Sequence, residues 1–398
     1  MRGYANMSDA IKEIPGGDYA FLRRNKAVDS DANPKKTIRL VDLFCGCGGI
    51  SLGVKEACNT LNYRLEIPLA VDFEKEASDC YSRNFPHANV INGDITELFS
   101  DMVGTPLTKK EKELKKSVGH VDLLVGGPPC QGHSDLNRYT KRNDPKNHLY
   151  LYMARAAEVF RPDLIIIENV TGALHDKGQV VQHVQKDLIN LGYKVDIGIV
   201  DLVKIGVPQT RRRLILLASL NAEYSVEKIQ EEYAVNKERT VEWAISDLEK
   251  VVPTSLLDTP SVPSKVNQQR IHYLFEHDVY DLPDEERPPC HRNKKHSYNS
   301  IYGRLHMDKP SQTITRGFYN NCMGRYVHPT QERTLTAHEA ARLQFFPDYF
   351  DFSSVSNKTA LGIIVGNAVP MKLPYVYALA LLSDRDKNGG KKEVKECD

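Results

Sequence analysis

The strongest constraint on this chain is a rhythm. Short apolar runs end abruptly in glycine, proline or an acid, and each is followed by a stretch with helical spacing. Thr37-Ile-Arg-Leu-Val-Asp-Leu-Phe44 reads as a strand that stops at Cys45-Gly-Cys-Gly-Gly49, and an apolar helical pattern then runs from Ile50 to about Leu61. Leu65–Asp72 reads as a second strand, with a helix over about 74–84, and Asn89–Asn92 as a short third. Val121–Gly126 is a fourth, ending at Gly127-Pro-Pro-Cys-Gln-Gly132, and residues 147–160 look helical. Leu164–Ile167 is a buried strand that ends at Glu168-Asn-Val170, and Leu214–Leu217 is a strand after Gly206-Val-Pro-Gln-Thr-Arg-Arg-Arg213. Short apolar strands alternating with helices predict an α/β fold, a doubly wound, mostly parallel sheet.

At 398 residues the chain has room for two or three domains, taking roughly 150 residues for each. Residues 1–36 are polar and read as a frayed extension or a cap. Residues 37–224 carry the alternating pattern. Over 225–350 the alternation fades while Pro, His, Asn and Tyr rise, which marks a smaller, irregular domain. Residues 351–385 return to the sheet, with Leu361–Pro370 leading into an apolar helix over about 371–383, and 386–398 form a loose charged tail. The Lys-rich run of Lys109, Lys110, Lys112, Lys115 and Lys116 reads as a solvated loop or helix face.

Apolar residues make up 41% of the chain and charged residues 26%, which excludes wholesale disorder and fibrous repeats. No unbroken apolar run is long enough to predict a membrane span. The N-terminus has no apolar core of signal-peptide length, so the protein is expected to stay where it is made. Eight cysteines at irregular spacing fit a reducing compartment better than a disulfide framework. The net charge of +1, from 53 Lys+Arg against 52 Asp+Glu, excludes histone-like binding of nucleic acid but leaves room for a basic groove.

Ligands of such sheets sit at the C-terminal ends of the strands. Phe44, Cys45, Gly46, Gly48 and Gly49 occupy the first strand-to-helix turn, where glycines let backbone N–H groups approach a ligand. Ser51 stands where a dinucleotide fingerprint wants its third glycine, which argues against NAD. Asp72 ends the second strand at the right distance to bind a ribose diol, and Asp94 follows the third, placed to accept from an adenine amino group. An adenosine ligand is the natural reading. Cys130, after two prolines at the end of the fourth strand, is presented into the same crevice, and its use as a thiolate needs nearby cations or dipoles. Arg211 and Arg213 are candidate cations. Glu168 follows four apolar residues, where an unpaired carboxylate would be costly, and Asn169 is placed to orient it.

Taken together, Asp42-Leu-Phe-Cys-Gly-Cys-Gly-Gly49, Gly93-Asp-Ile-Thr96, Gly127-Pro-Pro-Cys-Gln131, Glu168-Asn-Val170, Gln209-Thr-Arg-Arg-Arg213, His338-Glu-Ala-Ala-Arg-Leu-Gln-Phe-Phe-Pro-Asp348 and Gly366-Asn-Ala-Val369 resemble, in order, the motifs of the cytosine-C5 DNA methyltransferases. The resemblance runs from about residue 38 to 383. It implies a Rossmann-like methyltransferase fold with a target-recognition domain, and S-adenosylmethionine as methyl donor. Phe44 would stack on the adenine, Asp72 would hold the ribose, and Asp94 and Ile95 would hold the adenine. Gly46, Gly48, Gly49, Phe73, Pro128, Asn367 and Ala368 would complete the donor site. Cys130 would attack C6 of a cytosine flipped from the duplex. Glu168 would hydrogen-bond N3 and the exocyclic amine, and Arg211 and Arg213 would steady the base.

The resemblance also implies duplex DNA as partner, with a cognate restriction endonuclease compatible but no stable complex, and a monomer acting in the cytoplasm, or in the nucleus of a eukaryote. Residues 132–147 look like the mobile loop that closes over DNA, with Gln131, Ser134, Arg138 and Arg142 as contacts; Thr313 and Arg316 are the contacts expected from the recognition part. Cys290, His291, His296 and Cys322 fit no zinc spacing and read as structural, so no metal is expected. His338 stands where many members carry arginine, a position that supports the fold rather than the chemistry. Three alternatives stand behind this reading. A tRNA cytosine methyltransferase is disfavoured by Gly132-His-Ser134 after Pro-Cys-Gln. A non-catalytic DNA-binding protein is disfavoured by intact Cys130 and Glu168, and a cysteine hydrolase by the lack of a placed histidine.

Overall fold

The computed structural model describes residues 12–28, 33–129, 145–175, 178–293 and 300–393. Seven strands form the main sheet: β1 (Lys36–Leu43), β2 (Tyr63–Asp72), β3 (Val90–Asn92), β4 (Leu123–Gly126), β5 (Leu164–Val170), β6 (Lys194–Asp201) and β7 (Arg212–Ser219). Their order across the sheet is β3-β2-β1-β4-β5-β7-β6. The first five pair in parallel, while β7 runs antiparallel to both β5 and β6. The reason is loop length: Leu202–Arg211 is too short to hold a crossover helix, so β7 must reverse direction. Strand order turns around between β1 and β4, and the crevice at their C-terminal ends is where such sheets bind ligands.

The helices are α1 (Asp18–Leu22), α2 (Gly49–Leu61), α3 (Lys75–Asn84), α4 (Lys109–Val118), α5 (Leu151–Phe160), α6 (Val180–Asn190), α7 (Val226–Glu232), α8 (Val241–Ile245), α9 (Lys265–Glu276), α10 (Ala337–Leu343), α11 (Lys358–Asn367) and α12 (Lys372–Glu393). One sheet face is covered by α2, α7 and α12, whose Leu52, Val54, Ile229, Val376 and Leu379 bury against Ile38, Leu40, Leu123 and Ile166. The other is covered by α5 and α6, whose Met153, Ala157, Val184 and Leu188 meet Val41, Leu124, Ile165 and Leu216. The apolar stretch Lys358–Arg385 has the composition of a membrane span, but 78% of its most apolar window is buried in this core.

In three places the structure adds to the sequence expectations. The Lys-rich run is a helix, α4, because Thr108 and Glu111 form a capping box and Glu111 makes a fully buried ion pair with Arg155 at 2.7 Å. Residues 225–350 divide themselves. Val226, Ile245, Leu335 and Leu343 join the first core, and a separate small core gathers Ile271, Leu274, Leu282, Ile301, Tyr302 and Val327. Within the N-terminal extension, Ile14, Phe21 and Leu22 are buried, so the described residues 12–28 act as a cap; at the other end, α12 continues through 386–393.

Candidate active site

The turn after β1 is built by three left-handed residues, Phe44 (φ 58°), Gly46 (φ 53°) and Gly48 (φ 100°). For Phe44 this conformation costs on the order of 1 kcal/mol. It is held because the Cys45 amide donates to the Val71 carbonyl at 3.0 Å and the Gly46 amide donates to Asp72 Oδ2 at 2.8 Å. Gly49 opens α2, and a Cβ there would lie 2.5 Å from the Val369 carbonyl oxygen, so only glycine lets the turn and residues 367–369 close on each other. Asp72 Oδ1 accepts from the Glu74 amide at 2.9 Å. Burial raises the pKa of Asp72 above the usual carboxylate range, against the amides that lower it. Beside it Phe73 is 70% exposed, a large ring left facing solvent at the strand end. Asp94 caps a short helical turn through Thr96 N at 2.9 Å, with Ile95 buried behind it. Asn367 is exposed at the end of α11, next to half-buried Ala368.

Asp42, unassigned by the sequence reading although it lies in a quoted motif, is fully buried two residues before the turn. Ser51 Oγ donates to its Oδ2 at 2.6 Å and also meets Tyr81 Oη at 2.6 Å. Burial pushes the Asp42 carboxyl up to about 7. A serine therefore stands at position 51 because it anchors a buried acid. The available signal was a charge inside an apolar strand.

Across the crevice, Arg213 Nε pairs with Glu168 Oε1 at 2.7 Å, both side chains nearly buried. Burial lowers the pKa of Arg213 and Glu168 raises it. Glu168 Oε2 lies 3.4 Å from the position a Cβ on Gly127 would take, a point also close to Ile50 of α2 and to Val369. Gly127 thus sits where the acid, the glycine turn and the 367–369 loop converge. Asn169 does not reach Glu168 in the hydrogen bonds seen; its Nδ2 donates to the Pro128 carbonyl at 3.4 Å and its Oδ1 accepts from the Val170 amide. Cys130, Gln131, Ser134, Arg138 and Arg142 lie outside the described residues, as does His296.

The two arginines part company. Arg211 is buried, its pKa pushed down by burial and by Arg213, and its Nη1 donates to Gln344 Oε1 at 3.1 Å and to the Ile314 carbonyl at 3.4 Å. Gln344 is the centre of a buried network. It also accepts from Gln209 Nε2 at 2.9 Å and donates to the Val365 carbonyl at 2.8 Å. Gln209 in turn accepts from the Ile314 amide at 2.9 Å, and a short parallel ladder joins Gln209–Thr210 to Ser311–Gln312. The sequence reading gave no role to either glutamine, because the contacts that join them to each other, to Arg211 and to Ile314 span up to 135 residues of chain. Thr313 Oγ1 donates to the Thr210 carbonyl at 3.3 Å, and Arg316 is exposed. Gly366 packs so tightly on Thr315–Arg316 that a Cβ would lie 2.2 Å from the Arg316 amide nitrogen.

His338 bridges Asp258 (2.7 Å) and Asp348 (2.9 Å) through its two ring nitrogens. Cys290 is exposed and His291 Nδ1 meets the Tyr302 hydroxyl at 3.1 Å. Among the described residues, His120, Asp122 and Asp163 have the spacing of a metal site, at the end of the sheet opposite the crevice, but both aspartates pair with Arg385.

The family model described as C-5 cytosine-specific DNA methylase matches residues 38–383. The chain is 42% identical over 362 residues to Type II methyltransferase M1.BsuMI of Bacillus subtilis, covering 91% of this chain and 84% of that protein. It is 31% identical over 392 residues to Type II methyltransferase M.DdeI of Desulfomicrobium norvegicum, covering 86% and 88%. In fold it is similar to the crystal structure of S. pombe Dnmt2 methyltransferase, with a TM-score of 0.62 at 20% identity over 87% of this chain and 99% of that one.

Proposed function

Since the chain belongs to the C-5 cytosine-specific DNA methylase family, we propose that it moves a methyl group from S-adenosylmethionine to C5 of a cytosine flipped out of duplex DNA, through a covalent bond between Cys130 and C6. The observation that carries this is the convergence at Gly127, which sets the Glu168–Arg213 pair against α2 and Val369. A base reader and a donor crevice must meet there if one carbon is to be passed between them.

The residues fit the donor. Asp72 offers a half-buried carboxylate to a diol, Phe73 an exposed ring to a purine face, and the turn at Phe44–Gly49 offers backbone amides at a helix start. When bound, S-adenosylmethionine supplies an electrophilic methyl group. Asp94, Ile95, Pro128, Asn367 and Ala368 complete its site. On the base side, the Cys130 thiolate adds to C6, which turns C5 into an enamine carbon able to take the methyl group. Negative charge grows toward N3 as the S–C6 bond forms. Glu168, held in place by Arg213, meets N3 and the exocyclic amine and selects cytosine. Arg211 acts one step back, as the buried strut that fixes Gln344 and Ile314. Loss of the C5 proton to water and cleavage of the S–C6 bond return Cys130. Gln131, Ser134, Arg138, Arg142, Thr313 and Arg316 are the proposed DNA contacts. The setting is the bacterial cytoplasm, with a cognate restriction endonuclease as functional counterpart.

The test is to incubate the protein with labelled S-adenosylmethionine and, separately, unmethylated duplex DNA and tRNA. Label should enter DNA, and Cys130→Ser should abolish turnover while DNA binding persists. Full activity in Cys130→Ser would end the covalent mechanism. Label in tRNA alone would replace the substrate.

A further inference from the structure

Residues 12–28 lie before the first residue matched by the family model, yet they carry one of the most deeply buried charges in the described structure. Asp18 is fully buried. Its Oδ1 accepts from Lys372 Nζ at 2.9 Å and from the Ile14 amide at 2.9 Å, and its Oδ2 pairs with Arg239. Lys372 is itself fully buried, and its Nζ also donates to the Lys12 carbonyl at 3.0 Å. Glu13 takes the other arm of Arg239, and the Tyr375 hydroxyl donates to the Glu13 carbonyl at 3.2 Å. Burial alone would raise the pKa of Asp18, but the two cations outweigh it and hold the carboxyl below its usual range. Removing one partner of a buried pair leaves the other charge stranded, which is why such pairs hold their neighbours firmly in place.

Lys372 is the first residue of α12, directly after the short loop that carries Ala368 and Val369 and follows Asn367 at the end of α11. That loop cannot shift independently. A Cβ on Gly53 of α2 would lie 2.4 Å from the Met371 carbonyl oxygen, and Gly49 sits equally close to Val369. The glycine turn, the loop and the head of α12 are packed backbone to backbone, and the charge that anchors the first residue of α12 is Asp18.

We propose that Asp18 is a positioning residue of the donor site: by holding Lys372 it fixes residues 367–371 against the glycine turn. This rests on the reading of that crevice as the donor site. Asp18→Asn should raise the KM for S-adenosylmethionine about tenfold while kcat and the KM for DNA stay within about twofold. The double variant Asp18→Asn/Lys372→Met removes both charges and keeps the packing volume, so it guards against a fold too damaged to assay. It too should show a raised donor KM, and near-UV circular dichroism should match the parent. A donor KM at the parent value in folded protein, or an equal loss in all three parameters, would overturn the proposal and leave Asp18 a purely structural residue. Asp72→Ala separates the two levels. If it leaves the donor KM unchanged, the crevice is not the donor site and both readings fall; if it weakens the donor and Asp18→Asn does not, only the role of Asp18 falls.

Discussion

Asp42 shows what a single buried side chain does to the whole equilibrium. Its carboxyl titrates at about 7 in the fold against 3.8 for an ordinary aspartate. The native state therefore holds a proton that the unfolded chain has lost, and stability falls as pH rises through that window. The shift corresponds to roughly 4 kcal/mol once the window is passed. Asp42→Asn keeps an acceptor for Ser51 but cannot ionise, so between about pH 4 and 7 its urea midpoint should gain steadily on that of the parent. Parallel curves would show that another group titrates. The acid itself is legible in the sequence as a charge in Val41-Asp42-Leu43. Its partners are not, because only the folded turn brings Ser51 and Tyr81 onto it. The same holds for the proposed base site. Glu168 and Arg213 can be singled out from strand ends, whereas the diversion of Arg211 to Gln344 depends on a contact 133 residues away in the chain.

At the scale of elements, the alternation of strands and helices is readable because the central strands β4, β5 and β7 are buried on both faces and carry unbroken apolar runs. The direction of β7 is set by a loop too short for a crossover. The helix α4 is set by a capping box that its lysines overshadow. Its anchor, the buried Glu111–Arg155 pair, joins α4 to α5. Arg155 also donates to the Met102 and Thr105 carbonyls, so it organises the loop before α4 as well. Glu111→Gln should lower stability by up to about 3 kcal/mol, read from urea unfolding, because it leaves the buried guanidinium with Glu158 as its remaining carboxylate partner. Methyl transfer per folded molecule should not change. A loss of turnover in the folded fraction would mean that this face of the sheet communicates with the crevice.

Across the whole molecule, charges form a chain from the segment leading to the small core to the N-terminal cap. Asp258 pairs with His338, His338 with Asp348, Asp348 with Arg342, Arg342 with Asp247, and Asp247 with Arg23. Burial and the Arg342 cation pull the His338 pKa down, but its bonds to Asp348 and Asp258 outweigh them and raise it above 6.5. The stability this adds is complete below the ordinary histidine pKa and is lost as pH rises through the raised one. His338→Arg cannot lose its proton, so above the ordinary histidine pKa its urea midpoint should gain on that of the parent; identical slopes would remove His338 from the chain of charges. None of this long-range wiring is visible in a linear sequence, nor is the division of residues 225–350 between two cores, since burial depends on which segments meet. One consequence concerns timing during synthesis. The head of α12, which packs on the glycine turn and is tied to the N-terminal cap, is translated after every strand of the sheet. A nascent chain still on the ribosome can lay down β1 to β7 but lacks the piece that closes the crevice, so methyl-transfer competence arrives only when the last helix emerges, and a chain cut short before it is inert toward the genome.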